Sequence, residues 1–329
     1  MLLAFRWIQR SRRALGIVAL AGIATCGAAQ QPASTAQPGT SDRAKAYLHY
    51  SLGHLYYERG VMGSNQSLLN QAIDEFEEAL KYDPESNYLS MELAELYAGT
   101  GRWRSALQQI EDSVDKNPAN SAARGLLGRL YVRLLNPTGR TPVPTEIQDR
   151  AVARFEKLAA ANPADVDTHL ILAQLYRATN NSAKAEETLK AVLKLNADSS
   201  EANTQLALLY LDVGDYRSAI DLLKRVTEED DDPELLRSLA GAYEQTRDYQ
   251  SAAAAYARAL QRDPDNPALR RGLAESLLFS RQYDQALEQF QSIAEDDPRD
   301  PEPHVRISQI YRQQQKYAEA RKSLARASE

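Results

Sequence analysis

The chain of 329 residues is 43% hydrophobic and 26% charged, a composition that is typical of folded proteins and excludes a disordered chain. Its formal net charge of −6 at pH 7 argues against nucleic acid as a partner, because neutralising phosphates requires a basic surface. With only 15 Gly and 14 Pro, and with no stretch of alternating β-branched residues, the composition favours helix throughout.

The first 29 residues have the pattern of a secretory signal peptide. Four arginines precede the apolar run Ala14–Thr25, and small residues follow it. The run has 12 residues, fewer than the ~20 that span a bilayer, so we predict a signal peptide cleaved after Ala29, with a transmembrane anchor as the alternative. Loss of the four arginines would change the net charge from −6 to −10. We therefore expect an exported protein of the periplasm or cell envelope.

Cys26, the only cysteine, offers a second interpretation of this segment. Residues 23–27 resemble the box in which bacterial lipoproteins carry a lipidated cysteine, although Thr25 departs from the small residue usual before it. Lipidation of Cys26 would make the protein an outer-membrane lipoprotein; otherwise Cys26 is removed with the signal peptide. Residues 30–42, rich in Gln, Pro, Ala, Ser and Thr, are predicted to form a flexible linker.

One unit, residues 233–264, shows how the rest of the chain is built. Leu236 and Tyr243 are seven positions apart in a stripe with helical spacing, which places them on one face of a helix. Asp232 suits the N-cap of that helix. Pro264 ends the second helix of the unit, because proline cannot continue a helix. Two helices of this length bury too little surface to stand alone, so the unit needs neighbours.

The same pattern recurs along the chain. A small residue recurs at Gly53, Ala94, Gly128, Ala173, Ala207, Ala240, Ala274 and Ser308. An aromatic residue stands three positions later at Tyr56, Tyr97, Tyr131, Tyr176, Tyr210, Tyr243 and Tyr311, with Leu277 as the exception. The steps from Ala240 to Ala274 and from Ala274 to Ser308 are both 34 residues, the length of a helix–turn–helix repeat.

In these residues the chain resembles the tetratricopeptide repeat family. The resemblance covers residues 43–329 in about eight repeats, near 46–86, 87–120, 121–165, 166–199, 200–232, 233–266, 267–300 and 301–329. It implies an all-α fold, a right-handed superhelical solenoid of stacked helix–turn–helix units. It also implies that the first helix of each repeat lines a concave groove that binds other proteins.

Two repeats are longer than the family spacing. Gly53 and Pro84 are 31 residues apart, against 24 for Ala94 and Pro118, and the extra residues are predicted to form a loop at 59–71. The third repeat carries a second insertion, 134–148, in which three prolines favour an extended segment. Insertions of this kind often lie on the binding edge of a solenoid. The alternative is a tolerated surface loop.

The repeat phase names the residues that should face the groove. These are Tyr47, Tyr50, His54, Tyr57, Tyr88, Met91, Glu95, Arg129, Arg133 and Arg177. Aromatic residues dominate the first two repeats, which suits an extended peptide or an amphipathic helix of a partner. The alternative is that these tyrosines only pack between repeats. Some family members clamp a C-terminal carboxylate with Lys and Asn, but the matching positions here hold Tyr50 and His54.

No catalytic, cofactor or metal motif stands out. The chain lacks a phosphate-binding glycine loop, a nucleophile elbow and a zinc-binding helix motif, and three of its four histidines, His49, His169 and His304, lie in separate repeats. The acidic run at 228–232 lacks the glycine and alternating ligands of a calcium loop, so a solvated turn is expected. We therefore predict a non-enzymatic scaffold without cofactor or metal. A solenoid-bodied enzyme or carbohydrate-binding protein is the alternative.

The last repeat ends without an additional capping helix. Its outer face, which includes Ala320, Leu324 and Ala327, would have no following repeat to cover it. Because solenoids usually need a polar cap, we predict end-on self-association there.

Overall fold

A computed structural model describes residues 40–135 and 143–328. Over these residues the chain forms sixteen α-helices and no strand. The helices are α1 Thr40–Met62, α2 Gln66–Tyr82, α3 Asn87–Gly99, α4 Trp103–Lys116, α5 Ser121–Leu135, α6 Thr145–Ala161, α7 Val166–Ala178, α8 Ser182–Leu195, α9 Ser200–Val213, α10 Tyr216–Glu229, α11 Pro233–Gln245, α12 Tyr249–Arg262, α13 Pro267–Phe279, α14 Tyr283–Asp296, α15 Glu302–Gln313 and α16 Tyr317–Arg326. The predicted signal peptide, Cys26 and residues 30–39 of the predicted linker lie outside the described residues; α1 begins at Thr40.

The helices form eight helix–turn–helix units stacked in chain order. In seven units the two helices pack on each other, and the second helix then contacts the first helix of the next unit. The third unit differs, because α5 packs mainly on α7, the first helix of the fourth unit. The side chain of Arg154 ties α6 back to α4 by donating to the Glu111 carbonyl at 2.9 Å and pairing with Asp115 at 2.7 Å. The predicted all-α solenoid is confirmed.

Local sequence explains where the helices begin and turn. The Asp232 carboxylate accepts hydrogen bonds from the backbone N–H groups of Glu234 and Leu235, and Pro233 occupies the first turn of α11, as predicted. The turn between the two helices of a unit uses a residue with positive φ. In the second unit this residue is Gly101 (φ 79°), whereas in the seventh it is Arg281 (φ 63°), a conformation that costs a residue with a Cβ more than it costs glycine.

The prediction that the first insertion forms a loop at 59–71 is wrong. Helix α1 runs on to Met62 and α2 begins at Gln66, so the extra residues lengthen both helices and only 63–65 connect them. No proline interrupts this stretch, and the Asn65 side chain caps α2 by accepting from Ser67 N and Leu68 N. In the second insertion α6 starts at Thr145, directly after Pro144 in an extended conformation, and residues 136–142 are outside the described part.

The eight small residues of the repeat are all buried, which confirms their predicted role. A Cβ on Gly53 would meet the ring of Phe76 at 3.2 Å, and one on Gly128 would meet Cγ2 of Ile171 at 2.5 Å. Helices therefore approach each other closely at these positions because the side chains there are small or absent.

The tyrosine three positions later joins neighbouring units in the first half of the chain. Each hydroxyl donates to a glutamate on the second helix of the preceding unit. The pairs are Tyr97 with Glu77, Tyr131 with Glu111, Tyr176 with Glu156 at 2.6 Å and Tyr210 with Glu186 at 2.9 Å. Because the acceptors are carboxylates, these bonds are stronger than ordinary neutral ones.

The buried apolar residues form two clusters that meet in α3. The smaller one, which we call the N-terminal cluster, consists of Ala72, Ile73, Phe76, Ala79, Leu89, Leu93 and Leu96. The larger one begins at Ala94 and continues to Ile310. Helix α3 contributes Leu93 to one cluster and Ala94 to the other, so it is the seam between them.

Candidate functional site

A cavity of about 420 Å³ lies where the first helices of three successive units, α1, α3 and α5, come together, with α2 behind them. We call it the α1–α3–α5 cavity. Five of the ten predicted groove residues line it: His54, Tyr57, Glu95, Arg129 and Arg133. The structure thus brings together side chains that are up to 79 positions apart, between His54 and Arg133.

The floor of the cavity is apolar. Phe76 of α2 is 2% exposed, and Leu96 and Leu126 beside it are buried as well. At the mouth Gly99 has no heavy atom within 4 Å of where a Cβ would lie, so its lack of a side chain leaves the entrance open. An apolar floor with polar groups around it is the usual composition of a binding site.

An aromatic cluster adjoins the cavity on the side of α1, and its members Tyr50 and Tyr88 do not line the cavity themselves. The ring of Tyr50 packs edge-on against His54 and Phe76, with ring centroids 4.5 and 5.8 Å apart. Its hydroxyl lies 3.0 Å from that of Tyr88 on α3, so the two helices are joined above the floor. Burial lowers the pKa of His54 and keeps this imidazole neutral at neutral pH.

Glu92 of α3 is the buried charge-bearing group of the cavity. Its side chain is 13% exposed, its Oε2 lies 4.0 Å from Nε2 of His54, and it forms a hydrogen bond with Tyr88. Burial raises the pKa of Glu92 to about 7, only partly offset by the bond from Tyr88. The repeat phase did not place Glu92 in the groove. The available signal was its spacing of four from Tyr88, which puts both on one helical face.

The opposite wall carries two arginines of α5. Arg129 pairs loosely with Glu95 at 3.7 Å and remains 66% exposed. The guanidinium of Arg133 lies 4.9 Å from the ring centroid of Trp103, within the range of a cation–π contact.

The other predicted groove residues lie elsewhere. Tyr47 is 71% exposed and does not line the cavity. Met91 is half-buried and packs against the larger hydrophobic cluster. Arg177 forms an ion pair with Asp212 of α9, away from the cavity.

Within the described residues, the other candidate binding groups make contacts inside the protein. His49 Nδ1 lies 2.7 Å from a carboxylate oxygen of Glu75, and its ring stacks on Tyr82. In the acidic run, Asp231 pairs with two arginines of α12 and Asp232 caps α11. Over residues 40–135 and 143–328 no group of three or more His, Cys, Asp or Glu side chains could hold a metal ion, and no helix has the length and hydrophobicity to span a membrane.

Sequence comparison matches most of the chain to tetratricopeptide repeat profiles. One profile covers residues 66–130, 149–209, 243–304 and 280–329, and a second covers 204–267. The solved structures that resemble the chain include YrrB, a repeat protein described with an unusual peptide-binding site (TM-score 0.48, 19% identity, 54% of this chain and 91% of that one). A repeat protein from Parabacteroides merdae gives a TM-score of 0.46 with 16% identity over 74% of this chain and 92% of that one.

Two curated relatives are identical to this chain at about a quarter of the aligned positions. The BBSome complex member BBS4 homolog of Drosophila melanogaster is 23% identical over 66% of this chain and 45% of its own length. Lipopolysaccharide assembly protein B of Escherichia coli is 25% identical over 65% of this chain and 52% of its own length. The chain thus spans about half the length of these relatives. Tetratricopeptide repeats mediate protein–protein interaction, and from its repeat matches and its stacked helical hairpins this chain belongs to the tetratricopeptide repeat family.

Proposed function

We propose that the protein is a non-enzymatic scaffold that binds a segment of a partner protein in the α1–α3–α5 cavity. The observation that carries the proposal is the cavity itself. It combines an apolar floor at Phe76 with hydrogen-bonding groups at Glu92 and Arg129, and the first helices of three units build it jointly. An extended peptide or one face of a helix could enter it from the side of Gly99.

We further propose that this scaffold works in the bacterial cell envelope. Two observations support this location: the arginine-then-apolar pattern of residues 1–29, and the relative whose name is lipopolysaccharide assembly protein B. Anchoring through a lipid on Cys26 is the alternative form of the same proposal. N-terminal sequencing and intact mass of the protein purified from its native source test both, because cleavage after Ala29 and a lipidated Cys26 give different masses. An unprocessed Met1 would exclude both cleavage after Ala29 and lipidation of Cys26, and would leave the transmembrane anchor as the only envelope form of the proposal.

The binding role is tested by filling the cavity. Gly99→Leu places a side chain at the entrance without a clash, since no heavy atom lies within 4 Å of the new Cβ. We expect this variant to lose the partner proteins that the native chain captures from cell extracts. Gly241→Leu is the matched control, because Gly241 also has free space around its Cβ but lies in α11. If both variants keep the same partners, the cavity is not the binding site.

The predicted end-on association of the last repeat remains part of this proposal. On α16, Tyr317 is 66% and Leu324 45% exposed, whereas Ala320 is buried within its own hairpin. Light scattering of the purified protein over a concentration series is the measurement, and a strict monomer at high concentration would exclude self-association.

A further inference from the structure

The charged groups of the α1–α3–α5 cavity are unevenly distributed over its walls. Helix α2 contributes only apolar residues, α1 contributes His54, and α5 contributes Arg129 and Arg133. Helix α3 supplies two carboxylates, Glu92 and Glu95. Glu58 of α1 is close enough to act electrostatically on His54.

The two arginines already have contacts within the protein. Arg129 faces Glu95 at 3.7 Å, and Arg133 lies over the ring of Trp103. Glu92 contacts instead a tyrosine hydroxyl and an imidazole that is neutral at neutral pH, although it is the more deeply buried carboxylate. Ionising a carboxylate in such surroundings costs free energy, and a cation placed beside it offsets that cost.

We propose that the α1–α3–α5 cavity takes a basic side chain, lysine or arginine, from the bound segment of the partner, with Glu92 as its main acceptor and Glu95 as the second. This inference rests on the proposed binding role of the cavity and adds the chemistry of the residue that anchors the partner.

The lining suits the whole of such a side chain. Lysine and arginine bury their aliphatic stems against apolar surface while their charged ends reach polar groups. Here Phe76 and Leu96 supply the apolar surface, and the ring of Tyr57 lies close enough to Glu92 to feel its charge. A cation at this place is stabilised by the π face of the aromatic ring and by the negative charges of the two carboxylates.

The affinity of the cavity for a basic side chain should depend on pH, because Glu92 and His54 change their charge. Burial raises the pKa of Glu92 to about 7, so the empty cavity holds a mixture of protonated and ionised Glu92 near neutral pH. A bound cation favours the ionised form, and its binding therefore releases a proton. Below neutral pH, protonation of Glu92 and then of His54 removes negative charge and adds positive charge. Arg129 and Arg133 stay charged throughout, so affinity for a basic side chain should rise from pH 6 to pH 8.

The test uses pooled ten-residue peptides whose central position is fixed as Lys, Arg, Gln, Met or Glu while the other positions are randomised. Binding to the purified protein is measured by fluorescence anisotropy at pH 6 and pH 8. At pH 8 we expect the Lys and Arg pools to bind about tenfold more tightly than the Gln and Met pools, the value of one charge-assisted contact. Glu92→Gln should remove this preference, whereas Glu288→Gln on the exposed surface of α14, the charge-matched control, should keep it.

The outcomes separate this inference from the function on which it rests. If all pools bind equally and Gly99→Leu abolishes that binding, the cavity binds peptides but the basic anchor is wrong. A preference for the Glu pool, or a preference for Lys that survives in Glu92→Gln, also overturns it. If no pool binds and Gly99→Leu keeps every captured partner, both the anchor and the proposed binding role fail.

Discussion

The two halves of the solenoid use the same repeat positions differently. In the first three units, groove-facing positions surround a cavity in which Glu92 lies against a tyrosine hydroxyl and the His54 imidazole. In the seventh and eighth units, charged side chains pair with each other: Arg271 with Asp300 at 3.0 Å, and Arg306 with Glu275 at 3.1 Å. A shared repeat pattern therefore fixes where a side chain lies but not whether it is available to a partner.

The contacts between units differ in the same way. Tyrosine hydroxyls bound to glutamates join the units of the first half, as at Tyr131 and Glu111. Partly exposed ion pairs join units of the second half, as at Arg258 and Asp231, which lie 2.5 Å apart and are 43% and 33% exposed. Buried hydrogen bonds are screened little by salt, whereas exposed ion pairs are screened strongly.

Phe76→Ala should have the largest effect. Phe76 is 2% exposed and belongs to the N-terminal cluster, and its truncation should cost about 3–5 kcal/mol of unfolding free energy. Because that cluster is small and separate, hydrogen exchange should show lost protection confined to α1–α3. Phe290→Ala, at the same position of the seventh unit, is the matched control and should loosen α13–α16 instead. Loss of protection spread evenly over the chain would contradict two separate clusters.

Glu92→Gln should change how stability depends on pH. Because the pKa of Glu92 in the folded protein is raised to about 7, the native stability falls as pH rises from about 4.5 to about 7 and then stays level. The variant should therefore be more stable than the native chain by about 3 kcal/mol at pH 8 and equally stable at pH 4. Urea denaturation at both pH values measures this. An equal gain at both would refute the titration of Glu92.

Tyr131→Phe removes one hydroxyl and should destabilise the first half of the solenoid. Tyr131 is fully buried and Glu111 is 8% exposed, so the variant takes one donor from a buried carboxylate and leaves it with Arg150 at 3.5 Å, at a cost of about 1–3 kcal/mol. Tyr311→Phe makes the same change in the last unit, where no hydroxyl bond is found among the described residues, and should cost less than about 0.5 kcal/mol. Thermal unfolding of both variants compares them. Equal losses would mean that the tyrosine–glutamate bonds do not distinguish the halves.

The stability of the protein should change in opposite directions when glycine is introduced into one turn and removed from another. Arg281→Gly should stabilise the seventh unit by about 1 kcal/mol, because Arg281 adopts a φ of 63° that glycine tolerates better. Gly101→Ala, at a φ of 79° in the second unit, should destabilise by a similar amount although its Cβ would meet no other atom. Chemical denaturation gives both values, and a gain for Gly101→Ala would refute backbone strain as the cause.

Arg306→Gln should have the smallest effect and the clearest dependence on salt. Arg306 pairs with Glu275 and with Glu302 at 3.2 Å while 29% exposed, so its loss should cost about 0.5 kcal/mol at low ionic strength. In 1 M salt the difference from the native chain should vanish, because the Debye length falls to about 3 Å. Tyr131→Phe in the first half, where both partners are buried, should keep its effect at both salt concentrations. A salt-independent loss for Arg306→Gln would show that packing, not charge, holds these units together.

The sequence by itself determined the helical hairpins and their number. Apolar spacing, the small residue typified by Ala240 and the caps typified by Asp232 are local signals, and a helix is fixed by local hydrogen bonds. For that reason the prediction of eight stacked units is confirmed.

Tertiary structure alone decided which of those residues meet and in what electrostatic state. The extra residues at 59–71 became helix rather than loop, because repeat spacing counts residues without saying which conformation they take. The burial of Glu92 against His54, and the pairing of Arg177 with Asp212, depend on how successive units are rotated against each other. That rotation comes from close packing between helices distant in sequence, and desolvation follows from it, so neither can be calculated from repeat phase.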